Sequence, residues 1–234
     1  MRRIVGAGLV VMLMAACGGD QKSSTTAAPT STTLSQAQLD DQKAQGIVLT
    51  TADVPGYTVE TPDPDEANLL PEACFNGNAL LLRIGRDDDP RGALSQNFTD
   101  SKDASVGSAV TFAETVEEAS AAMAILNAPS FPTCFAADFA KELRKQPEFT
   151  NVTATTTRLP ALAVGDQSVG YRTTVKSRYT GTALTTYFDF VFVRSGRGFA
   201  VVDAVASVAG SSGTAFPNAE RIRLVTAVAN RLAA

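Results

Sequence analysis

Histidine is absent from this chain of 234 residues. Its absence removes the Ser-His-Asp and Cys-His arrangements of nucleophilic catalysis, histidine-ligated metals and the commonest general base near neutral pH. No Gly-x-x-x-x-Gly-Lys phosphate loop and no Gly-x-Ser-x-Gly nucleophile elbow occurs. Ser-x-x-Lys is missing too, and Ser101-Lys102 is only a loop dipeptide. A hydrolase built on this chain would have to use carboxylates. Basic residues are short as well, 20 against 24 acidic. Nucleic acid is therefore not an expected partner, because a phosphate backbone calls for clustered Lys and Arg. The cluster Arg83, Arg86 and Asp87 to Asp89 lacks the regular ligand spacing of a calcium loop and reads as a solvated turn. Neither a metal nor a cofactor is expected.

What is present begins with Met1, Arg2 and Arg3 and an uncharged stretch from Ile4 to Ala16, the charged head and apolar middle of a secretory signal. The stretch is too short to remain as a spanning helix, which needs about 20 apolar residues. It closes on Leu13-Met14-Ala15-Ala16-Cys17, which resembles a lipobox, with Met14 where that motif usually carries Leu. The resemblance implies a bacterial lipoprotein, with residues 1 to 16 removed and lipid placed on Cys17. The anchor would hold the chain on the extracytoplasmic face of the cell membrane. The Gly18-Gly19-Asp20 start and the linker beyond it fit this reading better than an ordinary secretory signal. Removing Arg2 and Arg3 leaves 18 basic against 24 acidic residues, net −6. Such a charge gives no electrostatic help at an anionic membrane, so the acyl chains must do the anchoring.

Only three cysteines occur. If Cys17 carries lipid, Cys74 and Cys134 remain, and in an oxidising compartment they either pair with each other, the simpler outcome, or stand as two separately buried thiols. A bond closing roughly 60 residues contributes about 4 kcal/mol in the chain-entropy model. Two thiolates without histidine are too few ligands for zinc.

From Gln21 to Thr33 the composition falls to Ser, Thr, Ala, Pro and Lys, the make-up of a tether. Residues 17 to 45 thus hold the lipidated cysteine, the tether and a short helix entered through Ser35, and residues 46 to 234 form one extracytoplasmic domain. Within it, Ala93 to Phe98 and Ser105 to Ala113 read as strands, the second with Val106, Ser108, Val110 and Phe112 inward. Residues 114 to 127 read as a helix with Val116, Ala119, Met123 and Leu126 on one stripe, stopped by Pro129. Cys134 opens a second helix running to about Lys145.

The last hundred residues are strand-rich: Ser168 to Tyr179, Leu184 to Arg194 and Phe199 to Ser207 make a meander, joined at Thr180-Gly181 and at Ser195 to Gly198. Phe216 to Leu232 closes the chain as an amphipathic helix with Ile222, Val225, Val228, Ala229 and Leu232 inward. The fold class is α+β: an antiparallel sheet with a C-terminal three-strand meander, packed by two central helices and a C-terminal helix.

Register brings out one constellation. A two-residue turn at Thr180-Gly181 sets Arg172 opposite Asp189, and a three-residue turn at the next corner sets Asp189 opposite Asp203. Arg172, Asp189 and Asp203 would form a charged row, either a cross-strand salt bridge or a pair of carboxylates able to bind a cation or act as acid and base. Phe188, Phe190 and Phe192 share the other parity and read as core, or as the lining of a lipid-binding hollow if the sheet cups a helix.

The layout resembles actinobacterial, mycobacterial-type lipoproteins with extracytoplasmic domains, carried by the strand Val110-Thr111-Phe112, the helix Glu117 to Leu126, Cys134 after it, the Gly165-Asp166 entry and the hairpin end Val193-Arg194-Ser195-Gly196. These domains resemble either the sensor domain of mycobacterial receptor kinases or the photosystem-subunit-like sandwich. The resemblance implies a non-enzymatic binding or sensor-type module for an envelope lipid, glycan or protein. The alternatives are a carboxylate enzyme using Asp189 and Asp203, and a structural envelope protein making contacts through its sheet edge.

Overall fold

The computed structural model describes residues 33–60, 70, 72–209 and 214–234. The signal segment, Cys17 and the tether up to Thr32 lie outside the described residues. Helices α1 (Gln36–Gln45), α2 (Ala79–Arg83), α3 (Val116–Asn127), α4 (Phe131–Leu143) and α5 (Asn218–Ala233) accompany strands β1 (Thr58–Glu60), β2 (Gly92–Leu94), β3 (Asn97–Thr99), β4 (Ser105–Phe112), β5 (Phe149–Arg158), β6 (Gln167–Tyr179), β7 (Thr182–Ser195) and β8 (Gly198–Ala209). All eight strands join one antiparallel sheet in the order β1-β3-β4-β8-β7-β6-β5, with β2 also on β4. The class is α+β, and the C-terminal meander is its centre.

Alternation divides the hydrophobic residues of β6, β7 and β8 between two cores. Tyr171, Val175, Phe188, Phe190, Phe192, Phe199 and Val201 face α3, α4, α2 and a 3-10 turn at Glu72–Phe75. Phe139 packs against Phe188 with ring centroids 4.6 Å apart, and Phe135 against Phe190 at 5.3 Å. On the other side Val191, Val193, Ala200, Val202 and Ala204 face α5 and the segment that follows α1. The centre of the sheet is therefore covered twice, and β4 is buried along nearly its whole length. Near-continuous apolar runs in β4, β7 and β8 reflect that double burial, in place of a simple in-and-out pattern.

Local chemistry explains the ends of these elements. Ser35 caps α1 in a reciprocal box with Gln38, and Thr115 caps α3 by accepting from the Glu118 amide. Ala128 is extended before Pro129, so α3 stops there. The next helix starts at Phe131, three residues before the expected Cys134, because Pro132 fits a first helical turn that needs no N–H donor. The expected strand at 93 to 98 is broken at Ser95–Gln96 into β2 and β3, both still paired with β4. Thr180 and Gly181 both have positive φ, 46° and 87°, as the two-residue turn between β6 and β7 requires.

Two contacts staple distant segments. Cys74 and Cys134 form a disulfide across 60 residues of sequence, tying the 3-10 turn to the first turn of α4. The second is Asp40, which draws α1 into the folded unit, so that unit begins at Leu34 and not at the expected boundary of 46. Its buried carboxylate accepts from Arg91 at 3.2 Å, from Arg197 at 2.9 Å and from Gln36 at 2.9 Å. Burial raises its pKa, but the hydrogen bonds from Arg197 and Gln36 and the charges of Arg197 and Arg91 outweigh that effect and hold it below the ordinary 3.8.

Two outcomes follow. Replacing both Cys74 and Cys134 by Ala should lower the unfolding free energy by about 4 kcal/mol, read from urea titration, with a steeper slope because the unfolded chain without the crosslink exposes more surface. A carboxyl whose folded pKa is depressed contributes stability that is present above its unfolded value and lost as pH falls through the folded one. Asp40→Asn should therefore be less stable than the parent at pH 7, the gap closing as pH drops below 3.8. A gap that stays constant into strong acid would show that the charge of Asp40 is irrelevant.

Candidate functional site

Arg172 lies opposite Asp189, as the two-residue turn demanded. Its Nε donates to Asp189 Oδ1 at 2.6 Å and its Nη2 to Oδ2 at 2.7 Å, a fork-to-fork pair across β6 and β7. The second corner differs from expectation. Ser195 faces Gly198, so Gly196-Arg197 is a loop of two residues, not three. That one-residue difference sets Asp189 opposite Ala204 and Asp203 opposite Phe190. Side chains alternate faces, so Asp203 points to the α3–α4 side and the expected row of Arg172, Asp189 and Asp203 does not exist. Asp203 instead sits above Gly107, where a Cβ would come within 3.0 Å of its carboxylate. The two acids cannot work as a pair across the thickness of a sheet.

The third member of the cluster is Arg221. Its Nη1 donates to Asp189 Oδ2 at 2.6 Å and its Nη2 to Asn218. Arg221 is 4% exposed and Asp189 1%, so the ion pair is buried. Sequence reading placed Ile222 on the inner stripe of α5; Ile222 is exposed, and Arg221, Leu224, Val225, Val228, Ala229 and Leu232 are the buried set. Those positions keep helical spacing, and a cation belongs among them because a buried carboxylate waits beneath it. An arginine in register with an apolar stripe was the signal available. With one carboxylate between two guanidinium groups, the cluster carries a net positive charge. The hydrogen bond that Arg172 donates to Asp189 raises the Arg172 pKa above its ordinary value, keeping it a cation.

α5 packs on β7 and β8 and stops short of β6 and β5. The uncovered part of that sheet face is polar. Thr153 of β5 lies beside Lys176 of β6, which lies beside Thr185 of β7; Thr155, Thr174 and Tyr187 form the next row. Arg178 extends the cation line toward the turn. Thr153, Thr155, Thr157, Lys176 and Arg178 are exposed, while Arg172, Thr174 and Tyr187 are half-buried. Among the described residues, Asp189 is the one acid this face of β5, β6 and β7 carries. Around the edge strand, a groove of about 600 Å³ continues between α4 and β5, lined by Ala136, Ala137 and Ala140 and by Thr153 to Thr156.

The acidic turn after α2 is only partly solvated. Asp89 is buried, 3.6 Å from Arg83 Nε, and accepts from the Arg91 amide. Among the described residues no group of three or more Cys, Asp or Glu side chains is arranged to hold a metal ion, and no helix is long and apolar enough to cross a membrane. No protein-family model matches the chain, and no curated protein matches its sequence. Its chemistry must be read from the geometry.

Asp189→Asn should cost about 3–5 kcal/mol, because it leaves two guanidinium groups, one fully buried, without their carboxylate. Asp189→Asn with Arg221→Met should recover a large part of that loss in urea titrations, since the unpaired charge is gone. Equal stability of the single variant and the parent would show that the cluster holds nothing together.

Proposed function

We propose that the chain is a cell-envelope lipoprotein, anchored by lipid on Cys17 at the extracytoplasmic face of the cell membrane, whose domain is a non-enzymatic binding module. The observation that carries the binding reading is the half-covered sheet face. A two-sided sheet ordinarily buries both faces under helices or leaves one uniformly solvated. Here one face is closed by α5 over β7 and β8 and open over β5 and residues 172–178 of β6, with hydroxyls and cations at its exposed positions and the half-buried Tyr187 at its margin. The open half stands on a rigid, doubly packed centre, which suits a surface that holds a ligand without rearranging. The carboxylate-enzyme alternative has lost its pair, since Asp189 and Asp203 face opposite ways and Asp189 is taken up by two arginines.

The anchor reading rests on residues 1 to 17 and on the resemblance to a lipobox. The charge of the mature chain, net −6 once Arg2 and Arg3 are removed, makes the acyl chains responsible for membrane attachment. A disulfide between Cys74 and Cys134 is in keeping with an oxidising compartment.

One experiment tests both halves. The full-length chain and its Cys17→Ser variant are expressed in a bacterial envelope and grown with a clickable palmitate analogue. The parent should take the label and stay in the membrane fraction, and the variant should lose both. Native mass spectrometry of the parent released from detergent micelles should show an envelope molecule bound; a clean, unliganded monomer counts against a binding module.

A further inference from the structure

We infer that the open half of the sheet, over β5 and β6, is a docking surface for an acidic polysaccharide, a glycan bearing carboxylate groups. The inference rests on the binding-module reading and names its ligand class. Charge complementarity decides the sign. Arg172, Lys176 and Arg178 line one strand on the same face, roughly 13 Å and 7 Å apart at about 3.3 Å per residue. The mature chain carries a net negative charge, yet no acid other than Asp189 shares this face among the described residues of β5, β6 and β7. Asp189 is buried and is shared with Arg221, so it does not cancel the cations above it.

Arg172 is also set in place before any ligand arrives. Its Nε and Nη2 are committed to Asp189, with Nη2 also 3.5 Å from the Phe216 carbonyl. Nη1 remains the nitrogen committed to neither, on a residue that is half-buried and so reachable from the open side. A guanidinium held this way binds a carboxylate without losing further rotamer freedom. Lys176 and Arg178 supply the exposed charges farther along.

The rest of the surface selects among anions. Threonine hydroxyls at 153, 155 and 157 on β5 stand beside the cation strand, about 4.8 Å away, and Thr174 and Thr185 continue the grid. Both donors and acceptors are thereby offered at short intervals, matching the hydroxyls of sugar rings. Tyr187 lies 5.9 Å from the Arg172 guanidinium and adds an aromatic surface between the rows. Acyl chains find no apolar lining among these outward residues. Three exposed or half-exposed cations are too few to hold a nucleic-acid backbone on a chain of net negative charge.

The test uses the full-length protein in neutral detergent micelles and isothermal titration with polygalacturonate, dextran, polyglutamate and phosphatidylglycerol vesicles, each at low and at moderate salt. Polygalacturonate should bind, more weakly as salt rises, while dextran should not bind and polyglutamate should bind at least tenfold more weakly. Lys176→Glu with Arg178→Glu, both exposed side chains, should weaken polygalacturonate binding at least tenfold with an unchanged circular dichroism spectrum. Thr155→Glu provides the same reading on the neighbouring strand if the double variant folds poorly. No binding of polygalacturonate, undiminished binding by these variants, or equal binding of polyglutamate or the vesicles overturns the glycan assignment. If a different molecule copurifies with the parent, the binding-module reading survives that failure; shortening of the polymer during incubation would instead overturn its non-enzymatic part.

Discussion

The carboxylate of Asp189 is the point on which the rest of the domain turns. It is buried between β7, β6 and α5, and it accepts from Arg172 on one side and Arg221 on the other. A lone charge at that depth, carboxylate or guanidinium, would be costly to bury. Together they fix where α5 lands, because Arg221 sits in its first turn and holds that turn over β7. The apolar stripe from Leu224 to Leu232 then runs down onto Val191, Val193, Ala200 and Val202. Direction and footprint of the last helix thus follow from one ion cluster followed by ordinary packing.

That footprint has a consequence on its far side. A helix set over β7 and β8 leaves β5 and residues 172–178 of β6 uncovered on the same face, while Leu159 covers β6 at Gly170, and the residues left open are those expected of solvated strands: Thr at alternate positions of β5, Lys and Arg on β6. The opposite face of the same strands is closed by α4, with Tyr171, Val175 and Val152 in the core. One half-face of the sheet is therefore available to a ligand while its reverse is rigidly packed. The groove along α4 shares Thr153 and Thr155 with it, so the free edge of β5 joins the two surfaces.

A second ion cluster does similar work at the other end. Asp40 gathers Arg91 and Arg197, and Arg197 also donates to the Ala113 carbonyl, so α1, the start of β2, the end of β4 and the β7–β8 turn meet there. The position of α1 could not be read from its own residues, which show little amphipathic character. Its burial comes from Asp40 and Ala44 alone, one of them charged. Polar side chains that enter a core through partners far along the chain leave no periodic trace. The same reason hid Arg221 beside Ile222 and left the acid in the turn after α2, Asp89, looking solvated.

Sequence by itself determined the class, the meander, the pairing of Cys74 with Cys134 as the simpler option, the core role of Phe188, Phe190 and Phe192, and the match of Arg172 to Asp189. Each depends on local periodicity, on turn residues such as Thr180-Gly181, or on a choice among few partners. Tertiary structure decided what lay beyond: the two-residue turn at Gly196-Arg197 that sends Asp203 to the other face, the arginine beneath α5, and the half of the sheet left open. A period of two converts a single-residue change in a turn into a change of face, and coverage by a helix depends on where its first turn is anchored in space. Neither is written in the spacing of residues along the chain.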